Sequence, residues 1–275
     1  MAAEFGPLVR ADRLAEQLDE VRLVDVRWYL NGAGDGRGGL DAYLAGHLPG
    51  AVWLDIDSDL SGPASPAAGR HPLPNEAAFA GALGRMGIAE GTPVVAYDDS
   101  GGSTAARLWW LLHVLGEPVA VLDGGIDAWP GELSTEVPVP VPVQRPVREW
   151  PAGRFLSADQ VATSERAVYD ARTAVRFAYG DEAIDPRPGH VPGALSAPWA
   201  GNLDESGLFR PAEALRARFA AAEPNGAVAY CGSGVTACHD LLAMTVAGLD
   251  GLALYPGSWS QWGADETRPA ALGPA

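Results

Sequence analysis

Short runs of aliphatic and β-branched residues recur along the chain, and segments with a helical spacing of apolar positions lie between them. Leu23 to Val26, Val94 to Tyr97 and Val119 to Leu122 read as strands, while Glu76 to Met86 and Ala105 to Leu115 read as helices. Helix starts are marked by Asn75 before Glu76 and by Ser157-Ala158-Asp159-Gln160, in which Ser157 and Gln160 can satisfy each other's exposed amides as a capping box. Strands alternating with helices in this way predict parallel α/β domains.

The same landmarks then occur twice in the same order. The strand-like Val21 to Arg27, Gly46-His47-Leu48-Pro49-Gly50-Ala51, Pro93 to Asp98, and Leu122-Asp123-Gly124-Gly125 with Trp129 make the first series. Ala167 to Arg172, Gly189-His190-Val191-Pro192-Gly193-Ala194, Ala227 to Cys231, and Tyr255-Pro256-Gly257-Ser258 with Trp262 make the second. Duplication followed by divergence is the simplest account. Between the halves, Val137 to Val143 alternates valine with proline too densely for a helix or a central strand, so it is expected to run extended as a connector. The expected division is a domain over 1–132, a linker over 133–152 and a second domain over 153–275.

A length of 275 residues, 47% of them hydrophobic, allows one large core or two modest ones. The formal net charge of -16 repels nucleic acid and anionic lipid, and neither is expected as a partner. Every basic side chain other than histidine is arginine, which excludes pyridoxal-phosphate Schiff bases and the lysine of a phosphate-binding P-loop. The start, Met1-Ala2-Ala3-Glu4-Phe5-Gly6-Pro7, has no signal-peptide pattern, and no apolar stretch is long enough to span a bilayer, so a soluble cytoplasmic protein is expected. Cys231 and Cys238 suggest neither a secreted disulfide framework nor a zinc site. A free, reactive thiol is the natural reading, and no metal or organic cofactor is implied.

Ala227 to Ala237 reads as a buried strand, a glycine-rich turn and the first turn of a helix that continues through Leu242. Cys231 falls where backbone amides and the positive end of the helix dipole converge, a place that stabilises a thiolate or a persulfide. Gly232 and Gly234 allow the tight turn that aims those amides inward. Cys238, seven positions on along the same helix, is too far away for an unstrained disulfide and reads as a packed residue.

Cys231-Gly232-Ser233-Gly234-Val235-Thr236-Ala237 resembles the active loop of the 3-mercaptopyruvate sulfurtransferases of the rhodanese superfamily. The tandem Gly-His-x-Pro-Gly-Ala segments, Asp123-Gly124-Gly125 and Gly257-Ser258-Trp259 extend that resemblance over nearly the whole chain. It implies an α/β fold of two tandem rhodanese-like domains, each a parallel sheet flanked by helices, with a catalytic carboxy-terminal domain and an inactive amino-terminal one. Asp98 stands where the repeat would put a second cysteine.

The resemblance also implies the chemistry. Cys231 would take sulfur from a small donor, 3-mercaptopyruvate or thiosulfate, and pass it to a thiol such as thioredoxin or a low-molecular-weight thiol, or to cyanide. Thiosulfate-preferring relatives tend to carry Arg and Lys after the cysteine, so Gly232 and Ser233 favour mercaptopyruvate, which brings one carboxylate instead of a dianion. Arg176 and Arg187 would hold the donor's anionic group, and Gly232, Gly234, Val235 and Thr236 would line it. Asp57 and His71 would polarise the Ser233 hydroxyl, which would protonate or position the departing enolate.

Two rivals differ in class. A cysteine phosphatase on the same fold would need a longer loop ending in an arginine, where this chain has Thr236 and Ala237. A non-catalytic rhodanese-like binding module would usually lose the cysteine. His47 and His190 occupy equivalent places in both halves and are expected to brace turns; Trp109 and Trp110 are expected in core or interdomain packing, and Trp259 at the pocket mouth or in the core.

Overall fold

Among the described residues, five strands of the amino-terminal half form one sheet and four of the carboxy-terminal half form another, and every strand pair is parallel. The structure, a computed structural model, describes residues 5–30 and 36–274, so the first four residues of the amino-terminal segment read above lie outside the described residues. The first sheet has the order β1-β5-β4-β2-β3, with β1 Leu8–Val9, β2 Arg22–Asp25, β3 Val52–Trp53, β4 Val94–Tyr97 and β5 Val119–Leu122. The second has the order β7-β6-β8-β9, with β6 Ala167–Asp170, β7 Leu195–Ser196, β8 Ala227–Tyr230 and β9 Ala253–Leu254. The central strands β4 and β8 are buried at all four positions, as strands covered by helices on both faces require.

Each compact unit has its own core. Leu23, Val95, Tyr97, Ala120 and Leu122 anchor the first; Phe177, Val228, Tyr230, Tyr255, Trp259 and Trp262 anchor the second. The unit boundaries are not a single cut in sequence. Residues 62–73 belong to the carboxy-terminal unit and 206–208 to the amino-terminal one. The proline-rich stretch is not a free tether either: through Trp150 it belongs to the first unit, where Val143 N donates to Gly84 O and a buried ion pair joins Arg145 Nη2 to Glu117 Oε1 at 2.6 Å. No helix among the described residues is long and apolar enough to cross a membrane.

The duplication extends to individual hydrogen bonds. At the end of β2, Arg27 clasps Asp25 with Nη2 at 2.6 Å and also donates to Gly46 O; at the end of β6, Arg172 clasps Asp170 at 2.7 Å and donates to Gly189 O. Tyr97 OH accepts from Leu48 N and Tyr230 OH from Val191 N, each at 3.1 Å. His47 Nδ1 meets Tyr43 O at 2.8 Å and His190 Nδ1 meets Phe177 O at 3.0 Å, so both rings brace the Gly-His-x-Pro-Gly-Ala turns. A buried charged pair needs partners for its remaining lone pairs and protons, and the same set of partners is built twice, with Arg172 Nη1 left without a hydrogen bond 3.6 Å from Asp185.

Candidate active site

The site is built where β8 ends. Tyr230 leads into Cys231, which is 2% exposed, and the loop turns through Gly232, Ser233 and Gly234 into the helix Ala237–Val246. Gly234 has φ +83° and a Cβ there would stand 2.6 Å from Pro256 O, so the turn demands glycine. With the backbone folded that way, Gly234 N lies 3.1 Å and Ser233 N 3.4 Å from Cys231 Sγ. Val235 is buried, and the carbonyls of Val235 and Thr236 accept from Cys238 N and His239 N as the helix begins.

The other half of the chain supplies an internal control for this loop. Asp98 follows β4 as Cys231 follows β8, and its carboxylate accepts from Ser100 N, Gly102 N, Thr104 N and Ala105 N at 2.8 to 2.9 Å and from Thr104 Oγ1 at 3.0 Å. A strand, glycine turn and helix start of this kind therefore surrounds an anion in the half that lacks the thiol. A thiolate or persulfide at Cys231 meets the same kind of backbone field.

Around Cys231 the structure gathers groups distant in sequence. His71 is 2% exposed, and its Nδ1 is 2.7 Å from Ser233 Oγ; the segment 62–73 that carries it is fixed in this unit by Arg70 N donating to Ser260 Oγ at 2.9 Å and Gln261 Nε2 donating to Ala67 O at 2.5 Å. Asp57 lies in the amino-terminal unit, exposed, with Oδ2 accepting from Trp28 Nε1 at 2.9 Å.

Arg176 reaches the loop. Its Nη2 would be 2.9 Å from a Cβ at Gly232, and the same guanidinium forks onto Asp185, with Nε at 3.0 Å and Nη2 at 2.5 Å. Arg172 Nη1 approaches Asp185 from the other side at 3.6 Å. Arg187 turns its Nη2 to the chain after the last helix, donating to Arg268 O at 2.7 Å and Asp265 O at 3.2 Å. The resemblance carried a second anion-binding arginine to position 187; the backbone carbonyls engage its Nη2, while its Nε is buried with no hydrogen-bond partner.

A different arginine stands in the site. Arg70 Nη2 would be 3.3 Å from a Cβ at Gly232, and Arg70 also lines a cavity of about 430 Å³ with Ser65, Ile184, Asp185 and Ser260. Burial draws the Arg70 pKa below the usual arginine value; Cys231 opposes that shift and Arg176 adds to it. In the sequence Arg70 is marked only by standing next to His71. Its signal was that adjacency, because residues flanking a histidine aimed at the loop are carried to the loop with it.

Ser258, present in the sequence as part of a repeated turn, has a role that only its geometry reveals. Fully buried, it adopts φ 52°, a conformation costly outside glycine, and its Oγ accepts from Cys231 N at 3.2 Å while donating to Tyr255 O at 2.9 Å. Trp259 N and Ser260 N then donate to Cys231 O and Gly232 O, so the whole backbone of the loop is pinned by the Gly257-Ser258-Trp259 turn. Trp259 itself is in the core, its indole N donating to Arg187 O at 2.9 Å and its ring under Arg172 at 4.9 Å.

Two parallel α/β units, one of which presents a buried cysteine to converging amides and guanidiniums, define an enzyme that works through a thiol. Residues 10–132 match the Rhodanese-like domain family. A Pseudomonas aeruginosa protein provisionally named 3-mercaptopyruvate sulfurtransferase is 42% identical, over 97% of this chain and 98% of its own. A Mycobacterium tuberculosis protein provisionally named thiosulfate sulfurtransferase is 38% identical over 100% of this chain and 96% of its own. The crystal structure of a 3-mercaptopyruvate sulfurtransferase from Escherichia coli superimposes with a TM-score of 0.79 at 32% identity, covering 93% of this chain and 99% of that one. The chain belongs to the rhodanese-type sulfurtransferases, and it is an enzyme of that class.

Proposed function

We propose that the enzyme moves sulfur from 3-mercaptopyruvate through a persulfide on Cys231 to a thiol acceptor. The observation that carries this reading is the convergence on one sulfur atom: two backbone amides at 3.1 and 3.4 Å, with the His71 and Ser233 pair at 2.7 Å beside it. Cys231 thiolate attacks the donor sulfur, the carbon–sulfur bond breaks, and its electron pair leaves as the enolate of pyruvate. The proton from the donor's S–H passes to the enolate carbon, with Ser233 and His71 placed to relay it. The new S–S bond leaves the persulfide in the field of the loop amides.

An acceptor thiolate then takes the outer sulfur and returns Cys231 as a thiolate. A dithiol such as thioredoxin closes to its disulfide and releases hydrogen sulfide; a low-molecular-weight thiol leaves as its persulfide, and cyanide as thiocyanate. This cycle needs reduced thiols, as does an enzyme whose two cysteines are both free, and we place it in the cytoplasm. Thiosulfate is the second donor, since close relatives carry both names.

Mixing the enzyme with excess 3-mercaptopyruvate and no acceptor tests the first half of the cycle. One pyruvate per chain, released before turnover stalls, is the expected result; no burst contradicts a covalent sulfur carrier.

A further inference from the structure

The guanidiniums in and around the site are not equally partnered. Arg176 is clasped in a fork by Asp185, and Arg172 is clasped by Asp170 and lies near the same Asp185. Each of these guanidiniums has a carboxylate partner. Arg70 has none of comparable quality: its Nε is buried with no hydrogen-bond partner, and its Nη1 has only a long contact of 3.4 Å to Ile184 O. Its Nη2 is nevertheless at the loop, on the same glycine that Arg176 approaches. Arg70 is the one of these three not held in a carboxylate fork; Cys231 and Asp185 are the anionic groups that act on it, and it opens onto the cavity lined by Ser65, Glu182, Ile184, Asp185 and Ser260.

A buried guanidinium with unused donors is costly unless something arrives to use them. An anionic donor brought to the loop at Gly232 would meet the Arg70 guanidinium there, whose Nη2 stands beside that of Arg176. We propose that Arg70 is the second cation of the donor site, and that with Arg176 it fits the site to a dianionic donor of the thiosulfonate type as well as to a monoanionic mercapto acid. The inference rests on the sulfurtransferase reading and adds the residue that decides between donor classes. With thiosulfate the thiolate attacks the outer sulfur, the S–S bond breaks, and sulfite departs with the bonding pair; the total charge is the same on both sides of the step. Gly232 is then glycine for room, because a side chain there would displace both guanidiniums. The cations a dianion needs come from outside the loop.

The test is steady-state kinetics with thiosulfate and with 3-mercaptopyruvate on the wild-type enzyme, Arg70→Gln and Arg70→Lys, beside a thermal melt of each. Loss of one charge-assisted contact should raise KM for thiosulfate about tenfold or more in Arg70→Gln and raise KM for mercaptopyruvate less, with kcat changed little for either. The ratio of the two kcat/KM values should fall toward mercaptopyruvate, and Arg70→Lys, which keeps the charge without the fork, should fall part of the way. A residue that only anchored the 62–73 segment would lower both donors together and leave the ratio unchanged; that outcome, in either variant, overturns the proposal. Should Arg70→Gln not fold, Arg70→Lys answers alone. A wild-type enzyme active with mercaptopyruvate and inert toward thiosulfate defeats the Arg70 assignment and leaves the sulfurtransferase reading standing. Inactivity with both donors defeats the two together.

Discussion

Asp98 and Cys231 occupy the same place in two copies of one loop, and the carboxylate of the first shows what kind of group that loop is built to receive. Four amides and a hydroxyl converge on Asp98, whereas two amides reach the Cys231 sulfur. Replacing Asp98 with Ala leaves buried donors unmet. The amino-terminal unit should lose roughly 3 kcal/mol or more of stability in urea titrations, since hydrogen bonds to a charged acceptor contribute about 1.5–3 kcal/mol each and do not add fully. A loss under 1 kcal/mol would mean that the loop holds its shape without an anion.

Ser258 carries strain for the sake of the Cys231 backbone. Ser258→Ala keeps the unfavourable φ and removes the acceptor of Cys231 N–H; Ser258→Gly removes the acceptor and relieves the backbone. Both should reduce sulfur transfer, while the glycine variant should be the more stable by about 1 kcal/mol. Equal stability of the two would show that the positive φ has no cost here.

Asp240 sits fully buried on the helix that starts at the catalytic loop, with Oδ1 accepting from Asn202 Nδ2 at 2.7 Å and Oδ2 without a hydrogen-bond partner. Burial pushes its carboxyl up to about 8, with Asn202 and Arg218 pulling the other way. The unfolded chain releases this proton near pH 4, so across the window from about 4 to about 8 the folded state holds one proton more and stability falls as pH rises. Above that window the term levels off. Asp240→Asn should therefore melt higher than the parent at pH 8, with the gap closing toward pH 5. A gap independent of pH would place the carboxyl's titration outside this range.

Residues 62–73 belong to the carboxy-terminal unit and bring Arg70 and His71 with them. A fragment of residues 153–275 lacks both, as well as the anchors at Ser260 and Gln261, and should lose most sulfur transfer even under conditions where it remains folded. Near-full activity in the fragment would remove His71 from the relay.

The fold was legible because its signals are local. Buried strands, caps such as Ser157 with Gln160, and the twice-told Gly-His-x-Pro-Gly-Ala turns are each contained in a few residues, and the capping box is formed as expected. Cys231 was legible for the same reason, since strand, glycine turn and helix start are contiguous. The arginines were not. Arg176 and Arg187 look alike in sequence, and only tertiary packing decides that one faces Gly232 while the other caps the chain end with carbonyl bonds. Arg70 is more than a hundred residues from the loop it serves, and no periodicity or spacing links the two. Ser258 hid in a familiar turn, its role visible only once its φ and its partners are known.

The central claim is that Cys231, not Cys238, carries the sulfur. Cys238 is fully buried on the helix after the loop, its Sγ donating to Gly234 O at 3.4 Å. The most direct measurement is mass spectrometry of tryptic peptides, alkylated after a brief exposure to 3-mercaptopyruvate without acceptor, from wild type, Cys231→Ser and Cys238→Ser. One additional sulfur on Cys231 in the wild type and in Cys238→Ser, removed by cyanide with release of thiocyanate and absent from Cys231→Ser, is the predicted result. An additional sulfur on Cys238, or sulfur transfer surviving in Cys231→Ser, would contradict the account.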